Sequence, residues 1–361
     1  MTTNQSPLLT HGECTMLKAI AMLMIMAHNF AHHVKGIVSE NEYTLDPHRT
    51  TQLIHNVLHP DSHIALHVLS FFGHYGVPLF LFLSGYGLVM KYERDQRGIP
   101  SPLRFIGLHY AKLFKLMLVG LLCFLCLRYL NHKPVLPVNV GAQLTMVVNL
   151  LSEPWMRIQP GPYWFFGLML QLYVLYRLVL HPGSNSRHWR WLGPVLLIAV
   201  CHVVQVVGMR YGGRETLYWM RYNALVAGLP FGMGLLAARY PWNAPHGRAL
   251  GWGLAALAGV AVTAMNLRFQ TWLVAPAVVV AGGVALVRVL PRWTHGFLLW
   301  TGTLSPMLFA VHPIARFLML DHANVSHPQA WLLAYLGLSL ALAVAYRRLL
   351  AFADTHLPQR N

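Results

Sequence analysis

Apolar runs of about 20 residues recur along almost the whole chain, and they constrain its fold more than any other feature. A helix of roughly 20 residues, rising 1.5 Å per residue, crosses a hydrocarbon layer ~30 Å thick. The runs lie at residues 16–33, 66–90, 105–127, 161–182, 191–209, 220–238, 249–266, 271–290, 296–320 and 329–350. The sequence therefore predicts an all-α, polytopic membrane protein with about ten transmembrane helices around a central cavity.

The distribution of charge excludes nucleic acid as a partner and gives an orientation. Only 11% of the residues are charged, against about 25% in soluble domains. The net charge of +16 comes from 27 Lys and Arg that do not cluster. With a cytoplasmic N-terminus, more of them fall in inner than in outer connections, most densely in "KYERDQRGIPSPLR" at residues 91–104. The positive-inside rule then predicts that both termini are cytoplasmic.

The connections between the apolar runs predict a single domain. No polar linker longer than about 30 residues interrupts the chain, so we expect one integral-membrane domain over residues 1–361, with no appended soluble domain. The piece "VNVGAQLTMVVNLL" at residues 138–151 is moderately apolar. It is too short for a comfortable crossing, and we predict a re-entrant or interfacial segment.

Four basic residues lie inside predicted spans: Lys18, Lys112, Lys115 and Arg316. Ionisable residues at such depth are costly and are functional candidates. Lys112 and Lys115 share a helix face, while all eleven Asp and Glu lie in loops, tails or helix ends. We therefore predict a water-filled cavity that receives an anionic ligand from the cytoplasmic side. The alternative is that both lysines snorkel to the lipid headgroups.

Histidines provide the second group of candidates. His28 follows nine consecutive apolar residues, with His32 one turn further along. A histidine at this depth is a hydrogen-bonding group between helices, a metal ligand or a proton-transfer group, and a neutral imidazole takes up a proton near pH 7. His55, His59, His63 and His67 have a spacing compatible with zinc. No suitable cysteine or carboxylate supports such a site, so we predict a polar outer loop and no metal.

Several short motifs resemble those of the acyltransferase family 3 membrane proteins, in the same order along nearly the whole chain. "AIAMLMIMAHNF" ends in the family's histidine at His28, and "GVPLFLFLSGYGL" is similar to its second motif. Lys112-Leu-Phe-Lys115 stands at the family's basic pair, with lysines in place of arginines. "YWFFGLMLQLYVLY" resembles the fourth motif. A late motif is matched by Gly302, Ser305, Phe309, His312 and Pro313.

The resemblance implies transfer of an acyl group, most simply acetyl, from cytoplasmic acyl-CoA to a hydroxyl of a cell-surface or lipid-linked glycan. His28 would act as general base or carry the acyl group itself, and Lys112, Lys115 and Lys18 would hold the phosphates of coenzyme A. We expect six residues to bind substrate or line the cavity: Ser84, Tyr86, Trp164, Gln171, His312 and Arg316. The protein would be a multi-pass protein of the cell membrane. No metal cofactor is expected.

Two other functions are compatible with the same residues. In a transporter for a polysaccharide precursor or an organic anion, the buried cations would form the translocation path, although the internal symmetry common in transporters is not visible here. In a scaffold without catalysis, the lysines would mark a purely binding role. For Ser84 alone, tight packing between helices is the structural alternative.

Overall fold

The computed structural model describes residues 7–41, 44–94, 98–183, 188–240, 247–323 and 327–356. This part of the chain is helical and contains no strand, which confirms the all-α prediction. The α-helices, in chain order, are α1 His11–Ala31, α2 Pro47–Leu58, α3 Ile64–Gly73, α4 Gly76–Tyr92, α5 Pro102–Leu130, α6 Pro137–Leu144, α7 Pro154–Arg157, α8 Trp164–Leu175, α9 Trp189–Met220, α10 Ala224–Arg239, α11 Arg248–Met265, α12 Phe269–Trp272, α13 Ala275–Val289, α14 Arg292–Ala323 and α15 Pro328–His356.

The predicted spans correspond to helices. Within the described residues, eight helical segments are long and apolar enough to cross a membrane, and α10 and α13 are shorter apolar helices. The predicted span 66–90 is two helices, α3 and α4, that meet at His74 and Tyr75. The piece at 138–151 contains only α6 and a 3₁₀ turn, Val148–Leu150, so it forms no helix long enough to span.

Helix α9 changes direction near its outer end. Gly213 has φ 67° and ψ −160°, which interrupts the helical backbone. A positive φ of this kind is readily adopted by glycine. The following segment folds back against the first, because a Cβ at Gly208 would meet the side chains of Met220 and Thr216. Residues 214–223 therefore return into the protein before α10 begins.

Helix α1 is the central helix of the bundle. It packs against α3, α4 and α14, whereas α11 packs mainly on α13. In their most apolar 18-residue windows, 67% of α1 but only 11% of α11 is buried inside the protein. Side chains on α1 are thus the ones that the fold encloses, and the candidate His28 is among them.

Glu93 lies at a helix end, as expected from the sequence, but its carboxylate is buried. Glu93, the C-cap of α4, forms an ion pair with Arg239 at 2.7 Å, and these two side chains are 4% and 0% exposed. Glu93 also accepts a hydrogen bond from the Tyr176 hydroxyl at 3.0 Å. The pair joins the end of α4 to the end of α10 and to the segment that contains Tyr176.

Candidate active site

His28 lies near the outer end of α1 and is 3% exposed. Its Nδ1 is 2.9 Å from the carbonyl oxygen of Ser70 on α3. Because a carbonyl oxygen only accepts, Nδ1 carries the proton and donates, and Nε2 is the ring atom with the lone pair. The two helices approach closely here, since a Cβ at Gly73 would collide with α1 at Met24 and His28.

Glu40 supplies a carboxylate to this histidine. Its Oε2 lies 4.0 Å from the His28 Nδ1, and the residue is 9% exposed. The loop that carries Glu40 is fixed on both sides. The Ser70 hydroxyl donates to the Val38 carbonyl at 2.7 Å, and the Trp272 indole donates to the Asn41 carbonyl at 3.0 Å.

His32 follows His28 by one turn and faces the same way. Its ring stacks on that of His28 with centroids 4.4 Å apart, and its Nδ1 donates to the His28 carbonyl at 2.7 Å. Burial lowers the pKa of His32 well below its ordinary value, and the positive charges of neighbouring groups, including Arg316, act in the same direction. His32 is therefore neutral near pH 7.

His28, His32 and Glu40 form a group whose ligand-type atoms lie within 4.8 Å of one another. Two imidazoles and a carboxylate are a donor set that zinc accepts. The hydrogen bonds described above engage Nδ1 of both rings with backbone carbonyls. Such hydrogen bonds orient Nε2 equally for proton transfer and for metal binding, so they do not distinguish between the two roles.

A cavity of about 160 Å³ opens beside this group. One wall is polar and contains His28, Asn29, His32, His33, Glu40, His74 and Arg316. The other is mainly aromatic and contains Trp155, Trp164, Phe165, Tyr222 and Phe309. Apolar and aromatic walls with a few convergent polar groups are typical of ligand sites.

The returning segment after Gly213 completes the aromatic wall. The Tyr222 ring lies 6.0 Å from that of Trp164 and 6.4 Å from that of Trp155. Its backbone carbonyl accepts a hydrogen bond from the Asn149 side chain at 2.5 Å, which fixes the segment at this depth. The kink in α9 thus brings a residue distant in sequence to the cavity.

Arg316 lines the cavity from α14. Its guanidinium donates to both the carbonyl and the side-chain oxygen of Asn29, each at 3.1 Å. These contacts hold the positive charge of Arg316 against Asn29, the residue that follows His28 in α1. Such a group can orient an electronegative substrate atom or stabilise developing negative charge.

The three lysines lie elsewhere, in the cytoplasmic half. Lys112 and Lys115 are exposed on α5, and none of the three lysines lines the His28 cavity. The charges of Lys91 and Lys18 act on Lys112, so these side chains form a cationic cluster. Along α1, Lys18 and His28 are ten residues apart, or ~15 Å.

Four other predicted residues are not brought to the His28 cavity. The Ser84 hydroxyl donates to the Phe80 carbonyl, and the Tyr86 hydroxyl contacts the backbone of Leu9. The Gln171 side chain donates a hydrogen bond to the Asn223 side-chain oxygen and accepts one from the backbone N–H of Ala224, the first residue of α10. His312 is fully buried, with Nδ1 near the Leu308 carbonyl at 3.1 Å. The contacts of Tyr86 and Gln171 join separate segments, whereas those of Ser84 and His312 lie within their own helices. A role in substrate binding stays a prediction for all four.

Three residues that line the cavity were not predicted from the sequence: Glu40, His74 and Tyr222. His74 stands in a conspicuous place, because it follows a glycine in the interrupted apolar run 66–90. Glu40 and Tyr222 carry no signal of this kind. Glu40 lies in a polar loop, and Tyr222 lies at the start of the predicted span 220–238.

Comparison with known proteins identifies the family of this chain. Residues 14–348, nearly the whole chain, match a family described as an acyltransferase domain. The chain belongs to this acyltransferase domain family. No curated protein and no solved structure shows significant similarity to the chain.

The matched region contains every residue of the site. It begins just before the membrane-embedded part of α1 and ends within α15. The protein is therefore a multi-pass membrane acyltransferase, as the sequence motifs predicted.

Proposed function

We propose that this acyltransferase transfers a short acyl group, most simply acetyl, from cytoplasmic acyl-CoA to a hydroxyl of a glycan or lipid-linked saccharide on the outer side of the cell membrane. The observation that carries the proposal is the geometry of His28. Its Nδ1–H is held by the Ser70 carbonyl at 2.9 Å with the Glu40 carboxylate 4.0 Å away, at the wall of a cavity.

In the direct route, His28 Nε2 removes the proton from the acceptor hydroxyl as the oxygen attacks the thioester carbonyl carbon. The carbon–sulfur bond then breaks, and the departing thiolate takes the proton from the imidazolium. Glu40 stabilises the imidazolium, because its negative charge lies beside the protonated ring. In the covalent route, Nε2 attacks the thioester carbonyl carbon, the carbon–sulfur bond breaks and coenzyme A leaves as the thiolate. The acceptor hydroxyl then attacks the acyl group on Nε2, the nitrogen–carbon bond breaks, and the hydroxyl proton passes to the thiolate.

The cavity supports a small reacting group. Its volume of about 160 Å³ lies below the usual ligand-site range of ~300–1,000 Å³. That size favours acetyl over a long acyl chain, with only the end of the acceptor entering. The aromatic lining residues offer flat apolar faces to a sugar ring, and Arg316 adds a positive charge to the lining.

The lysine cluster supports coenzyme A as the donor. Phosphates at Lys112 and Lys115 would leave the pantetheine arm to extend through the protein toward the outer half. The separation of ~15 Å between Lys18 and His28 along α1 sets the distance that this arm would cover. Lysine holds a phosphate as a point charge, without the two-pronged geometry of arginine.

The central experiment supplies labelled acetyl-CoA to membrane vesicles and measures label in the carbohydrate fraction together with released coenzyme A. Replacing His28→Ala should reduce transfer by roughly 10² to 10⁴-fold, whereas exposed His59→Ala in the outer loop is the matched control. Undiminished transfer by the His28→Ala protein would reject both routes. Saccharide movement without release of coenzyme A would favour a transporter instead.

A second measurement tests the donor site. Lys112→Ala should raise the KM for acetyl-CoA about tenfold while kcat changes little, because a contact to the donor that persists in the transition state is lost. Lys133→Ala removes a charge from the outer side, where this lysine lies 4.7 Å from the ring centre of Phe317, and is the control. An unchanged KM in the Lys112→Ala protein would place the donor elsewhere.

A further inference from the structure

The largest cavity described here is distant from His28. It has a volume of about 770 Å³ and lies between α4, α10, α11 and α13, with the start of α1 at one end. None of its lining residues is shared with the cavity beside His28. It therefore serves a purpose that acyl transfer at His28 does not explain.

The polar residues of this cavity gather at its cytoplasmic end. Arg248 is the first residue of α11, and Arg288 lies in the last turn of α13. Arg288 is 3.9 Å from Glu13 and also donates to the Leu8 carbonyl, so part of its charge is balanced. Arg248 is exposed at the cavity mouth.

The deeper walls are apolar. Phe82 on α4, Leu254 on α11 and Val280 on α13 line the cavity toward the middle of the membrane. Arg288 and Val280 are eight residues apart along α13, or ~12 Å. Phe82 on α4 also lines the apolar part of the cavity. The cavity therefore has a cationic mouth at headgroup depth and a hydrocarbon-like interior.

The packing of α11 leaves this space open. A Cβ at Gly251 would collide with Val289, and a Cβ at Gly282 would collide with Ala258, so α11 and α13 form a close pair. The opposite side of α11 exposes Trp252, Leu257 and Val260, as expected of a surface that faces lipid. Helix α13 also packs against α4, where a Cβ at Gly283 would meet Leu79, so the open space lies between α11 on one side and α4 and α10 on the other.

We propose that this cavity binds one anionic phospholipid of the cytoplasmic leaflet. Its phosphate contacts Arg248 and Arg288, and an acyl chain extends between α4, α11 and α13. Basic pockets between transmembrane helices on the cytoplasmic side recognise such headgroups. Water does not fill the interior well, because an apolar cavity offers it few hydrogen-bond partners. The site does not depend on the function proposed above.

The test is native mass spectrometry of the purified full-length protein, titrated with phosphatidylglycerol, phosphatidylcholine of the same chains, or palmitoyl-CoA. Phosphatidylglycerol should bind at least about fivefold more tightly than phosphatidylcholine. Arg248→Gln should remove this preference, whereas exposed Arg292→Gln at the same membrane face should keep it. Ala281→Trp, which fills the apolar part of the cavity, should weaken the binding of both phospholipids. Ala256→Trp, on the exposed part of α11, should leave the binding of both unchanged.

Three results would overturn the proposal. Equal binding of the two phospholipids excludes recognition of a charged headgroup. Identical behaviour of Arg248→Gln and Arg292→Gln places any charge preference elsewhere. Displacement of phosphatidylglycerol by palmitoyl-CoA at equal concentration assigns the cavity to an acyl donor. Circular dichroism of every variant verifies that it is folded.

Discussion

The Glu40 carboxylate lies 4.0 Å from Nδ1 of His28, although the two residues belong to a loop and a membrane-spanning helix. In the proposed reaction, this carboxylate would stabilise the imidazolium formed when His28 removes the proton from the acceptor hydroxyl. Together with the Ser70 carbonyl, it fixes the ring so that Nε2 is the proton-accepting atom. Catalysis in this protein is thus expected to depend on a residue outside the recognised motifs.

We expect Glu40→Gln to lower kcat for acyl transfer by roughly 10 to 100-fold with little change in the KM for acetyl-CoA. The amide keeps the shape of the side chain but cannot stabilise the imidazolium by charge. Asp61→Asn is the matched control, because Asp61 pairs with His67 at 3.4 Å on the outer side and does not line the cavity. Equal kcat values for the Glu40→Gln and wild-type proteins would remove Glu40 from the mechanism.

Stability should fall in mild acid because of His32. Its folded-state pKa lies well below the ordinary value near 6.5, so below pH 6.5 the unfolded chain binds more protons than the folded one. The contribution of neutral His32 to the free energy of unfolding is fully present above pH 6.5 and is lost progressively as the pH decreases. The Tm in detergent should therefore decrease between pH 6.5 and 5.

His32→Asn should flatten this decrease, since asparagine keeps a donor near the His28 carbonyl but does not titrate. Exposed His48→Asn in α2 should leave the pH profile as it is in the wild-type protein. If the His32→Asn and wild-type proteins show parallel Tm profiles, the acid sensitivity arises from other groups.

Gly85 and Gly87 allow a paired test of helix packing within α4. A Cβ at Gly85 would collide with the carbonyl oxygen of Phe231 on α10, whereas a Cβ at Gly87 meets no atom within 4 Å. Gly85→Ala should sharply reduce the yield of folded protein, measured by size-exclusion chromatography. Gly87→Ala should be neutral or stabilise by up to about 1 kcal/mol, because alanine favours the helix. Equal yields from both variants would contradict the close contact between α4 and α10.

The ion pair of Glu93 and Arg239 should matter for stability because both side chains are almost fully buried. Arg239→Met leaves a buried carboxylate without its cation and should cost about 3–5 kcal/mol. The double variant with Glu93→Gln should recover part of this loss. Exposed Arg348→Met on α15 serves as the control. Thermal unfolding in detergent is measured for the wild type, the two single variants, the double variant and the control. Additive effects of the two substitutions on the free energy of unfolding would show that the pair is not coupled.

Several features of the site were predictable because they depend on short stretches of sequence. The depth of His28 follows from the apolar residues that precede it, and the interruption of span 66–90 follows from its glycines and histidine. Trp164 and Arg316 also line the cavity, as expected. Ser84, Tyr86 and Gln171 instead make hydrogen bonds within the protein. A polar residue in an apolar run does not by itself distinguish such bonds from contacts with substrate.

The sequence by itself determined the all-α class, the succession of spans and the family. Transfer of an apolar segment into lipid is a sum over consecutive residues, so it can be evaluated along the chain. Tertiary structure alone decided that Glu40 and Tyr222 reach the cavity around His28 and that Glu93 is buried against Arg239. Those neighbours come from distant segments, and their approach depends on the packing of whole helices and on the backbone direction at Gly213.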